Sequence, residues 1–282
     1  MSVKNITNFI NQIKRTGTKK GFENYFRGHS NSDFKLEPSI YRDGYINNED
    51  RIFKESIIRI PQEFSSYKTT IEKLVKMQHY GVPTRLLDVT SNPLVALFFA
   101  CNKDFDKEGE VIFLQIPQDH IRFYDSDTVS ILANIAKRPK NFEYDYLPTT
   151  KISEFNESHH IGYLLHEIKE EKPYFQDIIN FKDLEKVFAV KVKLDNPRIL
   201  KQSGAFLLFG VRGNKTIQAD VPWTWVANKS SKILKLQIPA NHKKNILAEL
   251  DLIGLNDSTL FPELENQAKY LKDILGTKKG SS

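Results

Sequence analysis

The amino-acid sequence predicts an α+β fold in a single domain, with mixed and antiparallel sheets flanked by helices. Three observations predict it. Apolar residues recur at helical spacing in several separate stretches, the mark of amphipathic helices. Between them lie short apolar or alternating runs, such as 110–116 and 186–194, that read as strands. No change of composition and no Pro/Ser-rich linker divides the 282 residues, and a chain of that length can bury one large core.

Taken in order, 3–16 sets Val3, Ile6, Phe9, Ile10 and Ile13 on one helical face, and Gly17 and Gly21 end it. Residues 1–22 are thus an N-terminal helix ahead of a main domain over 23–275, with 276–282 a flexible tail. A short strand over 24–27 stops at Gly28, and 30–44, with Pro38, is irregular. Helices follow over 49–61, with Ile52, Phe53 and Ile57 inward, and over 68–79, with Ile71, Leu74, Val75 and Gln78 at helical spacing. Gly81 and Pro83 force a turn. A buried helix spans 92–101, with Ser91 or Asn92 as N-cap and Pro93 at its first position. The continuous apolar run of strand 110–116 implies burial on both faces. Helices are expected over 127–136 and 158–171, with a polar, aromatic loop over 137–150. Strand 186–194 alternates as half-buried strands do, and further strands are expected at 205–211 and 233–238. Helices over 241–250 and 261–275 close the chain. The runs VIFLQIPQDH and KLQIPANH share Gln-Ile-Pro with a histidine three residues on. Their surroundings differ, so this is a common strand exit and not a duplication. Pro222 breaks any central strand near Trp223 and Trp225, which are read as packing a strand edge.

Bulk composition narrows the function. The composition is 40% hydrophobic and 27% charged, as in ordinary globular chains. No apolar run approaches the roughly 20 residues that span a bilayer, and the N-terminal residues alternate polar and apolar where an export signal would be continuously apolar. One cysteine, Cys101, follows an apolar run and reads as a small buried residue. A lone cysteine makes no internal disulfide, so the cytoplasm is the expected compartment, with no membrane contact. Net charge is +6, which permits a polyanionic partner. The lysines are spread, however, and the densest pairs, Lys19-Lys20 and Lys278-Lys279, fall in loops or tails, so a solvated surface is the plainer reading.

Two segments concentrate polar chemistry. In Tyr25-Phe26-Arg27-Gly28-His29-Ser30 an arginine stands at a strand end before a glycine. Glycine lets a ligand approach the backbone, and Arg27 can fork onto a phosphate or carboxylate, although a structural ion pair would also explain it. The second runs from Gln78 to Ala100 and sets His79, Arg85, Asp88, Thr90 and Ser91 among apolar helices. Polar groups so placed are hydrogen-bonded or meet a ligand. His79 can act as general acid or base, or be a satisfied core histidine. Arg85 and Asp88 can pair locally, and capping alone accounts for one of Thr90 and Ser91. His159, His160 and His166 share a helix without an HExxH pattern, so no metal site is expected. The sequence lacks GxxxxGK[ST] and GxGxxG motifs.

The blocks YFRGHS, QHYGVPTRLLDVTSNPLVALFFAC, NPRILKQSGAF and LFPELENQAKYL together resemble the FRG domain family, named for the element that is here Phe26-Arg27-Gly28. The resemblance runs from about Tyr25 to Leu271 and implies a bacterial or phage conflict setting, but no reaction. In the order of its elements the chain also resembles the ADP-ribosyltransferase fold. That resemblance implies NAD as substrate, with Arg27 and Gly28 near its phosphate or ribose. Arg85, Thr90 and Ser91 complete the expected cofactor-binding set. A carboxylate would stabilise an oxocarbenium-like transition state. The chain departs from the pattern at that carboxylate, where Gln202 stands; Glu185 and Asp88 are its rivals. The expected catalytic set is therefore Arg27, His79, Asp88 and Gln202. Two other readings stay open: a non-catalytic module binding a nucleotide or nucleic acid through Arg27 and Arg85, and a nuclease-type toxin using His79, Asp88 and Arg85. These readings leave protein, nucleic acid and NAD itself open as the target, and a toxin would need a neutralising or activating partner.

Overall fold

The computed structural model describes residues 2–226 and 235–263. Along the chain lie α1 (Ile6–Thr16), β1 (Phe22–His29), α2 (Glu49–Arg59), α3 (Thr70–His79), β2 (Leu86–Thr90), α4 (Pro93–Cys101), β3 (Gly109–Pro117), β4 (Ile121–Phe123) and α5 (Asp127–Asn134). They are followed by α6 (Ile152–Asn156), α7 (His159–Glu171), α8 (Phe181–Leu184), β5 (Val187–Lys191), α9 (Pro197–Lys201), β6 (Gly204–Phe209), β7 (Val211–Arg212) and β8 (Asn214–Gln218). The last are α10 (Trp223–Val226), β9 (Lys235–Ile238), α11 (Lys243–Leu252) and α12 (Asp257–Leu260). Seven strands form one sheet in the order β4-β5-β6-β2-β1-β3-β9, and β7 and β8 form a separate pair. Only β4 and β5 run parallel; the other neighbours in the sheet are antiparallel. The fold is the expected α+β class, a mixed sheet flanked by helices.

Local chemistry explains most elements. Asn92 caps α4, its side chain accepting from the Leu94 amide at 2.9 Å, and Pro93 occupies the first turn. A capping box between Thr69 and Glu72 starts α3. Both Gln-Ile-Pro strands leave the sheet through a 3-10 turn, Gln118–His120 after β3 and Ala240–His242 after β9, and the two strands pair with each other. Differences from expectation occur where elements are short. The strand expected over 24–27 spans all of Phe22–His29, because its whole length pairs with β3. Strand β2, helices α6, α8, α9 and α10 and the β7–β8 pair were not expected. At 222–226 the break after Pro222 leads into a helix, with Trp225 buried and Trp223 exposed. At the C-terminal end α12 stops at Leu260; 261–263 are not helical. The rest of the helix expected over 261–275, with Lys278-Lys279 and the tail, lies outside the described residues.

The two faces of the sheet are covered differently. One face carries a single apolar layer from Ile112 and Leu114 of β3 through Tyr25 and Leu87 to Leu207 and Val187, closed by Trp225. On the other face the core is divided. Helices α3, α5 and α7 cover β2, β6 and β5 in one cluster, while α1, α4 and α11 cover β1, β3 and β9 in another. Helix α4 lies directly on β1: a Cβ at Gly28 would sit 1.9 Å from the Ala96 carbonyl oxygen. Only glycine permits that approach. Among the described residues no helix is long and apolar enough to cross a membrane.

Candidate functional site

The divided core coincides with a seam in the sheet. Strand β1 pairs with β3 along its whole length but with β2 through Phe26 and Thr90 alone. Beyond that pair, 27–29 and 86–89 draw apart. A cleft of about 360 Å³ occupies the seam. Its walls come from 26–30, from Asp88, Val89 and Thr90, from Gln78 and His79 of α3, from the α4 face, and from the segment that includes Arg198, Gln202 and Phe206. The two polar segments and the 198–206 segment therefore meet at one place.

Arg27 bridges the seam. Its Nη1 donates to the Asp88 carbonyl oxygen at 2.8 Å and stands 3.7 Å from Asp88 Oδ2. Its Nε–H is buried and has no hydrogen-bond partner among the described residues. Burial, and to a smaller degree Arg42, lower the guanidinium's pKa, while Asp88 opposes them. A guanidinium starts so high that it stays charged. Asp88 is held by a relay: Thr84 Oγ1 donates to Gln78 Oε1 at 2.6 Å, and Gln78 Nε2 donates to Asp88 Oδ2 at 2.7 Å. The carboxylate remains more than half exposed at 55%. Arg42, Lys103 and Arg198 add positive charge to the walls, and Phe34, Phe99 and Phe261 add rings.

Thr90 and Ser91 act mainly as fasteners. Thr90 Oγ1 donates to the Gln202 carbonyl at 2.7 Å, and the Ser91 amide to that of Ser203 at 3.1 Å, tying β2 to the turn before β6. Ser203 has φ 47°, the left-handed region that a non-glycine residue enters only when its surroundings hold it there. Ser91 is exposed and off the cleft wall. Gln202 lines the cleft, but its Nε2 donates to the Leu260 carbonyl at 3.0 Å, anchoring α12. His79 lines the cleft, with Nε2 3.3 Å from Glu263 Oε1. Burial lowers its pKa, Arg198 adds to that, and Glu263 partly opposes both.

Arg85 and Glu185 also lie away from the cleft. Arg85 is fully buried away from the cleft: Nε donates to Glu49 Oε1 at 2.9 Å, Nη2 meets Glu49 Oε2, and Nη1 donates to the Phe209 carbonyl at 3.1 Å. Lys215 stands 3.0 Å from the same carboxylate. Burial alone would raise the Glu49 pKa; Arg85 and Lys215 override it and hold Glu49 below its usual range. The local Arg85–Asp88 pair does not form, because residues three apart along an extended chain point to opposite sides. The trio His79, Asp88 and Arg85 is thus not assembled. Glu185 accepts from the Tyr146 hydroxyl at 2.9 Å and is not on the cleft wall. Cys101 is buried, which pushes its thiol up to about 12. Among the described residues no three His, Cys, Asp or Glu side chains are grouped as a metal site.

Sequence reasoning passed over His29 and its partner Glu110. They are cross-strand neighbours on β1 and β3, both nearly fully buried, with His29 Nδ1 3.1 Å from Glu110 Oε1. His29 lines the cleft. The available signal was the strand period of two, which puts His29 on the same side of β1 as Arg27.

Residues 23–109 match the FRG domain. The matched span runs from β1 to the first residue of β3 and contains Arg27, His29, Gln78, His79, Asp88 and Thr90. The 198–206 wall lies beyond it. No curated protein and no solved structure matches the chain. Within the matched span the Phe-Arg-Gly element divides three tasks: Phe26 stacks on Phe113 in the core at 4.8 Å, Arg27 crosses the seam, and Gly28 lets α4 sit on the strand.

Proposed function

We propose that the seam cleft binds a nucleotide-type anion, and that the protein is an NAD-using, ADP-ribosyltransferase-like effector or toxin. The observation that carries this reading is the convergence of Arg27 and the Asp88 carboxylate on one cleft whose walls also hold Arg42, Lys103, Arg198 and the rings of Phe34, Phe99 and Phe261. Guanidinium groups fit a pyrophosphate, and rings offer faces for a base or nicotinamide. The buried Arg27 Nε–H has no hydrogen-bond partner among the described residues. Departure of nicotinamide leaves positive charge on the ribose, which a fixed carboxylate stabilises. With Gln202 committed to Leu260 and Glu185 off the wall, Asp88 is assigned that role. The setting of anti-phage defence or a toxin–antitoxin pair, with a neutralising or activating partner and a protein or nucleic-acid target, follows the family resemblance.

The test is nicotinamide release from NAD by the purified protein. Release is expected from the wild type and not from Arg27→Ala; full turnover by that variant would remove the role given to Arg27. The excess of cations in the cleft also favours a second reading, a nucleotide- or nucleic-acid-binding module without turnover. Salt-sensitive binding with no nicotinamide release would select it.

A further inference from the structure

The His29–Glu110 pair is unlike the other buried ion pairs of the molecule. Arg85, Glu49 and Lys215 satisfy one another. His29 is 2% exposed, lines the cleft, and has a buried Nε2 with no hydrogen-bond partner among the described residues. Leaving a buried polar atom unpaired is destabilising, so its persistence on a cleft wall needs a reason.

Glu110 supplies one. A carboxylate only accepts hydrogen bonds, so Nδ1, 3.1 Å from Oε1, carries the hydrogen, and the neutral ring keeps its lone pair on Nε2. Glu110 is fixed in turn by Lys235, whose Nζ is 3.0 Å from Oε2. The charged groups acting on the ring are Arg27 on its own strand, Glu110 on β3 and Lys235 on β9. Burial, the largest influence, favours the neutral ring; Arg27 and Lys235 add to that, and Glu110 opposes it. Phe34 packs edge-on at 6.1 Å between ring centroids. A second anchor holds the strand exit: Lys243 Nζ donates to the Ser30 carbonyl at 2.5 Å and to the Asp104 carbonyl at 2.8 Å.

We propose that His29, oriented by Glu110, is the general base of the cleft and takes the proton from the hydroxyl that attacks the ribose. This rests on the NAD reading above. With water as the attacking group, the C1′–N bond to nicotinamide breaks and its electron pair stays on the departing nitrogen. The water oxygen forms the new bond to C1′, and its proton passes to His29 Nε2 and then to solvent. NAD⁺ and water give ADP-ribose, nicotinamide and one proton. A target hydroxyl in place of water would give the O-linked ADP-ribosyl product by the same transfer, so the substrate class is hydroxyl acceptors.

The experiment combines three measurements on full-length protein: nicotinamide release, NAD binding by calorimetry, and the ring tautomer of ¹⁵N-histidine-labelled wild type. His29→Asn is expected to bind NAD like the wild type while release falls about 10²–10⁴-fold. Glu110→Gln should show a smaller loss, and wild-type His29 should carry its hydrogen on Nδ1. Wild-type rates from His29→Asn, or a hydrogen on Nε2, would overturn the base role and leave the NAD reading standing. A wild type that binds NAD without releasing nicotinamide also overturns it, whereas a wild type that does neither overturns the NAD reading itself. Should His29→Asn fail to fold, Glu110→Gln and the wild-type tautomer decide: unchanged release by Glu110→Gln contradicts the proposal.

Discussion

Arg27 and Arg85 both stand beside carboxylates in a matched FRG span, but among the described residues Arg27 Nε has no hydrogen-bond partner, whereas each guanidinium nitrogen of Arg85 has one. Arg85 spends its guanidinium on Glu49 and the Phe209 carbonyl with no exposure to solvent. Its task is therefore structural. Glu49→Gln, which leaves Arg85 and Lys215 without their shared anion, should cost about 3–5 kcal/mol in urea denaturation while NAD affinity of the folded protein is unchanged. A loss of NAD affinity without a loss of stability would return Arg85 to the site. Residue identity alone could not separate the two arginines, because each is a cation near a turn and an acid. Arg27 was legible as an arginine before a glycine, although it stands inside β1, which runs on to His29, and not at the strand end expected for it. The role of Arg85 depended on Glu49, 36 positions earlier, which no local pattern connects to it. His29 was overlooked for the same reason: its partner is 81 positions away.

Elements were legible where they were long. The periodic apolar faces of α1, α3 and α7, and the cap of α4 with Asn92 and Pro93, were all visible in sequence. Strand β2 was not, since five residues between a turn and a helix are too few to show a period, and both faces of the strand meet other parts of the chain. Gly28 shows how an element constrains the site. Its glycine was read as room for a ligand, yet the closest neighbour is the α4 backbone. Gly28→Ala forces α4 off β1 and should destabilise by about 1–3 kcal/mol or more, seen as a lower urea midpoint. An unchanged midpoint would mean that α4 does not rest on the strand.

At the scale of the whole molecule, the seam is a product of topology. The sheet joins β4-β5-β6-β2 to β1-β3-β9 through one residue pair, and the helical layer divides above it. Strand order is set by contacts distant in sequence, so α+β was readable and the seam was not. The buried ionisable groups also give the fold a direction in pH. Glu49 is held below its unfolded value of 4.5, so its contribution is complete above that value and is lost as pH falls through the lower folded one. His29 and His79 are held below 6.5, so the stability of their neutral rings is likewise complete above 6.5 and lost as pH falls. Urea unfolding should therefore show stability declining from about pH 6.5 downward; a fold more stable at pH 5 than at pH 7 would contradict these shifts. Nucleotide binding in the seam cleft underlies the roles given to Arg27, Asp88 and His29. It is tested most directly by mapping backbone amide shifts of the labelled protein on addition of NAD. Shifts are expected to concentrate at 26–30, 88–92 and 202–206, on both sides of the seam; shifts confined to other surfaces, or none at saturating NAD, would mean that the cleft does not hold NAD.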